Sequence, residues 1–364
     1  MITDIELVNF KCFSRMKIPL KQLTFLCGLN GMGKSSVIQS LLMVRQTWHH
    51  DVLRKNEIML NGSLVHLGEG KDVLYEGSSE DIITIKIANR DNTLELNIFY
   101  DPDKDSLKIT NDVDLSLADS ILGLNFQYLR AERLGPRLTS VKEDYPVTRE
   151  KNVGLSGEFT AHYMLVYGDD KIAKELRHEK AVSNTLKSNV EAWLGEVSPG
   201  VQVTYTDHDR IDQVSTRFNF VSEKAKTNDF RATNVGFGIS YTLPVLVSLL
   251  SAEPDSLIII ENPEAHIHPK GQRKIGELIA RASSTGAQII VETHSDHILN
   301  GIRLATKSNI IGPEDCVFHY FDRVSNDGQL TARIQSPVLD SNGRFSEWPE
   351  GFFDEWDLAL TELL

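Results

Sequence analysis

The sequence predicts an α/β protein: a mostly parallel sheet, with an antiparallel β lobe and a helical region inserted into it. Three observations point there. The last third alternates helix and strand patterns: a helix over 239–251, a strand over 256–261, a helix over 270–283, a strand over 287–292, a helix over 295–306 and a strand over 315–321. Strands separated by helical crossovers pair in parallel, with both sheet faces covered. Nearer the start, "QLTFLCG" (22–28) is an apolar run of strand length that ends in glycine. It leads into "GKSSVIQSLLMVRQTW" (33–48), where Val37, Leu41, Leu42, Val44 and Trp48 recur at helical spacing. Within 58–110, "IITIKIANR" and "TLELNIFYD" alternate between Asp, Asn and Gly punctuation, the pattern of antiparallel strands.

The remaining elements follow by the same reasoning. Residues 3–10 and 14–20 read as two short strands around a turn at Lys11–Phe13, and 156–198 returns to helical periodicity near 156–167 and 177–195. "VQVTYTDHDRIDQVSTRFNFV" (201–221) reads as a strand pair. The tail, "RFSEWPEGFFDEWDLALTELL", carries Trp348, Phe352, Phe353 and Trp356 and is too aromatic to stay free, so it is expected to dock on the body or on a partner. The expected organisation is a single domain over 1–364. Its core is 1–50 and 230–322, with a β lobe and helical insertion at 51–229 and a docking tail at 323–364.

Composition narrows the class. The chain has 364 residues, 41% apolar and 24% charged, as in ordinary globular proteins. It has no run of eighteen apolar residues, so no membrane-spanning helix is expected. "MITDIELVNFKCF" lacks the basic start and apolar run of a signal peptide, and Cys12, Cys27 and Cys316 stand far apart without CxxC spacing. A cytoplasmic protein with no membrane partner is the expectation. The net charge of −13 works against non-specific nucleic-acid binding. One segment, "YLRAERLGPRLTSVKED", gathers Arg130, Arg133 and Arg137. It is either a solvated, ion-paired stretch diluted by Glu132, Glu143 and Asp144, or a local DNA contact.

"GLNGMGKSS" matches G-x-x-x-x-G-K-[ST], a phosphate loop, and it leaves an apolar strand and enters a helix as such a loop must. Glycines let successive backbone N–H groups turn toward phosphate oxygens, and the helix aims its positive end at the same place. Asn30, Gly31, Gly33, Lys34, Ser35 and Ser36 are therefore the candidate ATP-binding residues, with Lys34 for the β and γ phosphates and Ser35 for Mg²⁺. "SLIIIENPE" ends a buried strand on Glu261, the place for an acid that holds Mg²⁺ through water. Asn262 follows it; an amide cannot take a proton from water, and Glu264 stands two residues on. His266 and His268 suggest either a metal site or an ordinary turn. His294 follows the apolar strand "AQIIVET" and precedes a helix that Ser295 or Asp296 could cap, making it a candidate γ-phosphate sensor.

"GLNGMGKSS", "NVGFGIS", "IIIENPEAHIHP" and "VETHSDHIL", in that order, resemble the motifs of ABC-type ATPase heads of the RecF, SMC and OLD branch. The opening "IELVNFKCF" is similar to the first strand of those heads. The resemblance covers about residues 1–50 and 230–322 and implies a P-loop NTPase, an ABC-ATPase-like head. In it Lys34 and Ser35 are the phosphate-loop pair, Glu261 the metal-side acid, and Asn262 stands where the catalytic glutamate usually lies. His294 is the switch histidine. "NVGFGIS" would be the signature loop, with Gly236, Gly238 and Ser240 on the γ-phosphate of the opposite subunit. That implies a homodimer or higher homo-oligomer around ATP and Mg²⁺. The sequence lacks a long coiled coil, and about forty residues follow the last core strand, too few for an appended nuclease domain. Stand-alone heads of this kind resemble ATPase subunits of anti-phage systems such as Septu, which pair with a separate effector, a nuclease or other toxin. A RecF-like DNA clamp and an ATP-binding scaffold with negligible turnover are the alternatives.

Overall fold

Alternating isoleucines and leucines build the first sheet that the chain forms. The computed structural model describes residues 1–222, 224–326 and 329–363, and divides into two compact units. One comprises Met1–Leu124, Cys316–Val338 and Phe345–Leu364; the other comprises Asn125–Asp315 and Leu339–Arg344.

The first unit begins with β1 (Ile2–Phe10), β2 (Phe13–Pro19), β3 (Leu23–Gly28), α1 (Lys34–His49), β4 (Glu57–Met59), β5 (Ile82–Asn89), β6 (Thr93–Phe99), β7 (Ser106–Lys108) and α2 (Leu115–Leu122). Strands β2, β1, β5 and β6 form an antiparallel sheet in that order. On β5 and β6 every second residue (Ile83, Ile85, Ile87; Leu94, Leu96, Ile98) is buried, the period-two pattern that the sequence displays. Helix α1 buries Val37, Ile38, Leu41, Leu42 and Val44. Helix α2, which the sequence reading did not anticipate, is started by Asp114, whose carboxylate accepts the Ser116 and Leu117 N–H groups.

The second unit contains β8 (Phe126–Leu129), β9 (Ser140–Val141), α3 (Thr160–Tyr167), α4 (Leu186–Val197), β10 (Val201–His208), β11 (Gln213–Phe220), β12 (Phe230–Arg231), α5 (Phe237–Leu250), β13 (Leu257–Glu261), α6 (Pro269–Ser284), β14 (Gln288–Glu292) and α7 (Asp296–Lys307). Here β14, β13 and β8 run parallel, with Glu261 in register with Glu292, while β10 and β11 form the expected antiparallel pair. Helices α6 and α7 approach very closely: a Cβ on Gly276 would lie 2.2 Å from the Ile298 carbonyl, and one on Gly301 would lie 2.9 Å from the Gly276 Cα.

The chain then returns to the first unit with β15 (Cys316–Asn326), β16 (Gln329–Gln335) and α8 (Glu355–Leu363). β15 pairs in parallel with β3 and antiparallel with β16. The α/β class with parallel strands and antiparallel sheets is thus the observed one. Phe352, fully buried, meets Tyr320 (5.6 Å between centroids), Phe345 (5.4 Å) and Trp348 (5.0 Å), so the aromatic tail packs onto this unit's own β15. The side chain of Trp356 lies outside the described residues. Among the described residues, no helix is long and apolar enough to cross a membrane.

Candidate functional site

In the first unit, the phosphate loop follows β3 in a path that only glycine takes easily. Gly28, Gly31 and Gly33 all have positive φ (126°, 73° and 102°). A Cβ at Gly28 would lie 2.2 Å from the Phe321 carbonyl oxygen, and one at Gly33 would lie 2.4 Å from the Phe13 ring. Lys34 is buried, and its Nζ donates to the Gly28 and Leu29 carbonyls at 2.9 and 2.8 Å, inside the curl of the loop. Asn30, Gly31 and Ser35 are exposed, and Ser36 is half-buried beside Cys12. From β15, Arg323 reaches the Gly31 carbonyl at 3.3 Å. Helix α1 starts on Gly33 with no capping side chain and no acid in its first turn.

In the second unit, β13 delivers Glu261 to the end of the parallel strands. Its Oε1 accepts the Tyr128 hydroxyl at 3.0 Å, and its Oε2 accepts the Ala131 N–H at 3.1 Å. Burial raises its pKa above the ordinary carboxylate range, against the opposing pull of those two donors and of Arg133. Asn262 turns the chain with φ 45°, left-handed backbone that Asn tolerates better than Glu does, and its N–H donates to the Glu292 carbonyl at 2.7 Å. Glu264 reaches back to β14's exit: its Oε1 accepts the His294 N–H at 2.9 Å, while its Oε2 is buried without a partner. His294 itself is exposed, and Ser295 caps α7 through the His297 and Ile298 N–H groups.

Arg133 holds this acid turn. Its side chain is 2% exposed; Nη1 donates to the Glu261 carbonyl at 2.7 Å, and Nη2 donates to the Asn262 carbonyl. Burial pushes its pKa down to about 10, opposed first by the charge of Glu264. At Arg133 this corrects the reading of the segment as a solvated or DNA-facing patch: the central arginine is an internal brace, while Arg130 and Arg137 are exposed. Arg130 also bonds Ser156 Oγ at 2.6 Å. Arg133 was missed as a site residue because nothing local in "RAERL" announces burial. The short run "FQYL", apolar except for Gln127, was the available signal for β8.

The glycine-rich loop opens α5. Gly236 is the cap residue, again without a side-chain cap or a first-turn acid. Gly238 is required by close approach: a Cβ there would lie 2.5 Å from the His266 carbonyl oxygen. Ser240 lines a small cavity with Leu134, Gly135 and Thr160. Gly236 and Gly238 line an open groove of about 550 Å³ with Phe220, Phe230, His266 and His268. Of the two histidines once eligible as ligands, His268 caps α6 by accepting the Lys270 N–H, and His266 stacks on Tyr241 (4.7 Å). Among the described residues, no group of three or more His, Cys, Asp and Glu is placed to hold a metal. The capping role of His268 and the stacking of His266 fit the ordinary-turn reading of 266–268.

Comparison with known proteins adds the following. The AAA ATPase domain model matches residues 1–189, a second AAA domain model matches residues 164–300, and a model described as a protein of unknown function (DUF3696) matches residues 311–363. An OLD nuclease of Thermus scotoductus is 20% identical over 324 residues, 81% of this chain, which spans 59% of that relative's length. An SMC head bound to the C-winged helix domain of ScpA superposes with TM-score 0.57 at 15% identity, covering 93% of this chain and 98% of the other. An SMC head from Pyrococcus furiosus, with an extended coiled coil, gives TM-score 0.53 at 14% identity, covering 100% and 99%.

Proposed function

Because the chain belongs to the AAA ATPase domain family and has the fold of SMC-type ATPase heads, we propose that it binds ATP, hydrolyses it slowly and dimerises around it. In that form it would serve as a sensor or switch for a separate effector in anti-phage defence.

One observation carries the nucleotide reading. Helices α2, α4, α6 and α7 begin under a capping side chain (Asp114, Thr185, His268 and Ser295). Helices α1 and α5 begin on Gly33 and Gly236 with neither cap nor acid; α3, behind Phe159, lacks both as well but does not begin on a glycine. Uncapped N-termini keep their N–H groups and positive dipole ends available to an anion. Lys34 would hold the β and γ phosphates, and Gly236, Gly238 and Ser240 the γ-phosphate bound to a second copy.

Ser35 and Glu261 are oxygen donors of the kind that Mg²⁺ takes. Each Glu261 oxygen accepts one hydrogen bond and keeps a lone pair for a metal-bound water, so the acid fits the role. Bound there, the ion would neutralise charge on the phosphates. Asn262 cannot act as a base, which supports slow turnover. Glu264 takes the His294 N–H on Oε1 and would have to expose its buried Oε2 to accept a proton from water, and His294 would sense the γ-phosphate.

The likeness to an OLD nuclease supports an effector that is a nuclease or other toxin. A DNA clamp has less support, since Arg133 is buried and the net charge is −13.

Single-turnover hydrolysis and light scattering with and without ATP and Mg²⁺ test the reading. Wild type should turn over slowly and double its mass with ATP; Lys34→Ala should abolish both, and Ser240→Arg should weaken the dimer. An unchanged mass with ATP would remove the nucleotide-driven dimer, and absent turnover would leave a scaffold. Much faster turnover in Asn262→Asp would identify the amide as a brake. Unchanged turnover would show that position 262 is not the base site.

A further inference from the structure

The glycine-started helix α5 and the acid turn after β13 are locked together at two points. Gly238 lies so close to the His266 carbonyl that no Cβ fits between them, and the Phe237 and Tyr241 rings both pack on the His266 ring, at 5.8 and 4.7 Å. The second point is Arg133. Its guanidinium carbon lies 5.8 Å from the Tyr241 ring centroid while its two terminal nitrogens hold the Glu261 and Asn262 carbonyls. The same loop touches α5 again at Gly135, where a Cβ would lie 3.1 Å from the Phe237 ring.

We propose that the loop 130–137 is a coupling element, in which Arg133, set between Tyr241 and the acid turn, makes the backbone position of Glu261 and Asn262 follow the pose of α5. This rests on the ATPase reading above and extends it to how one nucleotide site senses the other. Arg133 is a positioning residue.

The chemistry favours this over simple charge neutralisation. Arg133 donates to backbone carbonyls rather than to a carboxylate, so it fixes the direction of the chain at the two residues that matter. A planar guanidinium can stack on a ring and donate from its edge at once; an ammonium cannot. The Arg133 Nε is buried without a partner, so the group is held by the two carbonyls, the Arg130 carbonyl at 3.3 Å and the tyrosine face. A shift of α5, such as a γ-phosphate arriving at Gly236 and Ser240 would produce, moves the ring and with it the guanidinium.

Three variants test this: Tyr241→Leu, which removes the ring; Tyr241→Phe, which keeps it; and Arg133→Lys, which keeps the charge but not the fork. With Tyr241→Leu and Arg133→Lys, kcat should fall about tenfold or more while ATP affinity stays within about twofold, and Tyr241→Phe should match wild type. Hydrogen exchange without nucleotide gives an independent readout. The Asn262 amide, bonded to the Glu292 carbonyl at 2.7 Å, and the Ala131 amide, bonded to Glu261 at 3.1 Å, should exchange about tenfold faster in Tyr241→Leu but not in Tyr241→Phe. Equal losses in Leu and Phe, unchanged exchange at both amides, or affinity falling in step with kcat would each overturn the coupling. A wild type that neither binds nor hydrolyses ATP would sink the ATPase reading alone, and the exchange data would still decide the coupling.

Discussion

The phosphate loop and the acid turn each shape backbone to handle charge, and they are built in opposite ways. The loop is mostly local: between Gly28 and Lys34, three positive-φ glycines and one folded-back lysine define it, with Phe13 crowding Gly33 from nearby and Phe321 and Arg323 reaching it from far along the chain. The acid turn is assembled from a distance. Glu261 depends on Tyr128 and Ala131, its carbonyl on Arg133, and Glu264 on the His294 amide, partners 30 to 133 positions away in sequence. A local device can be damaged where it stands, whereas a distributed one can be damaged from a residue that no motif contains.

The sharpest way to break that contrast is Arg133→Met. It takes the guanidinium donors from the Glu261 and Asn262 carbonyls, the latter keeping only the Ala265 N–H at 3.2 Å, and removes the buried cation facing Glu264 and Glu261, which should cost about 3–5 kcal/mol. Urea unfolding measures it; a loss below about 1 kcal/mol would mean that the turn supports itself. Gly33→Ala probes the local side and should cost about 2–3 kcal/mol, from a positive φ and a Cβ placed 2.4 Å from the buried Phe13 ring. Its damage should stay in the first unit, so ATP affinity should fall while the Asn262 amide keeps its exchange rate.

The same contrast explains what could be read from the sequence. The phosphate loop, α1 and the parallel strands at 257–261 and 288–292 were legible because glycine spacing and apolar runs are local signals. β8 was not, since four residues between Asn125 and Arg130 are too few to establish a period. Arg133 looked like a surface residue because burial of a charge depends on carbonyls supplied 128 and 129 positions later. Asn262 read as a lost catalytic acid; its φ of 45° adds a backbone reason for Asn at that position.

The smallest effect separates charge from shape within the acid turn. Burial raises the Glu261 pKa, so between the unfolded and folded values the native state holds a proton that the unfolded chain has released. Stability therefore falls as pH rises through that window, and above it the ionised carboxylate carries the full desolvation cost. Glu261→Gln removes the charge and keeps the shape: the Tyr128 hydroxyl can reverse to accept the amide N–H while the carbonyl still takes the Ala131 N–H. The variant should match wild type at pH 4 and exceed it by up to about 1 kcal/mol at pH 8, with turnover reduced at least about a hundredfold. Urea midpoints at the two pH values decide the point. A variant less stable at pH 8 than at pH 4, relative to wild type, would show that Arg133 and the two donors outweigh burial and that the ionised acid holds the turn together.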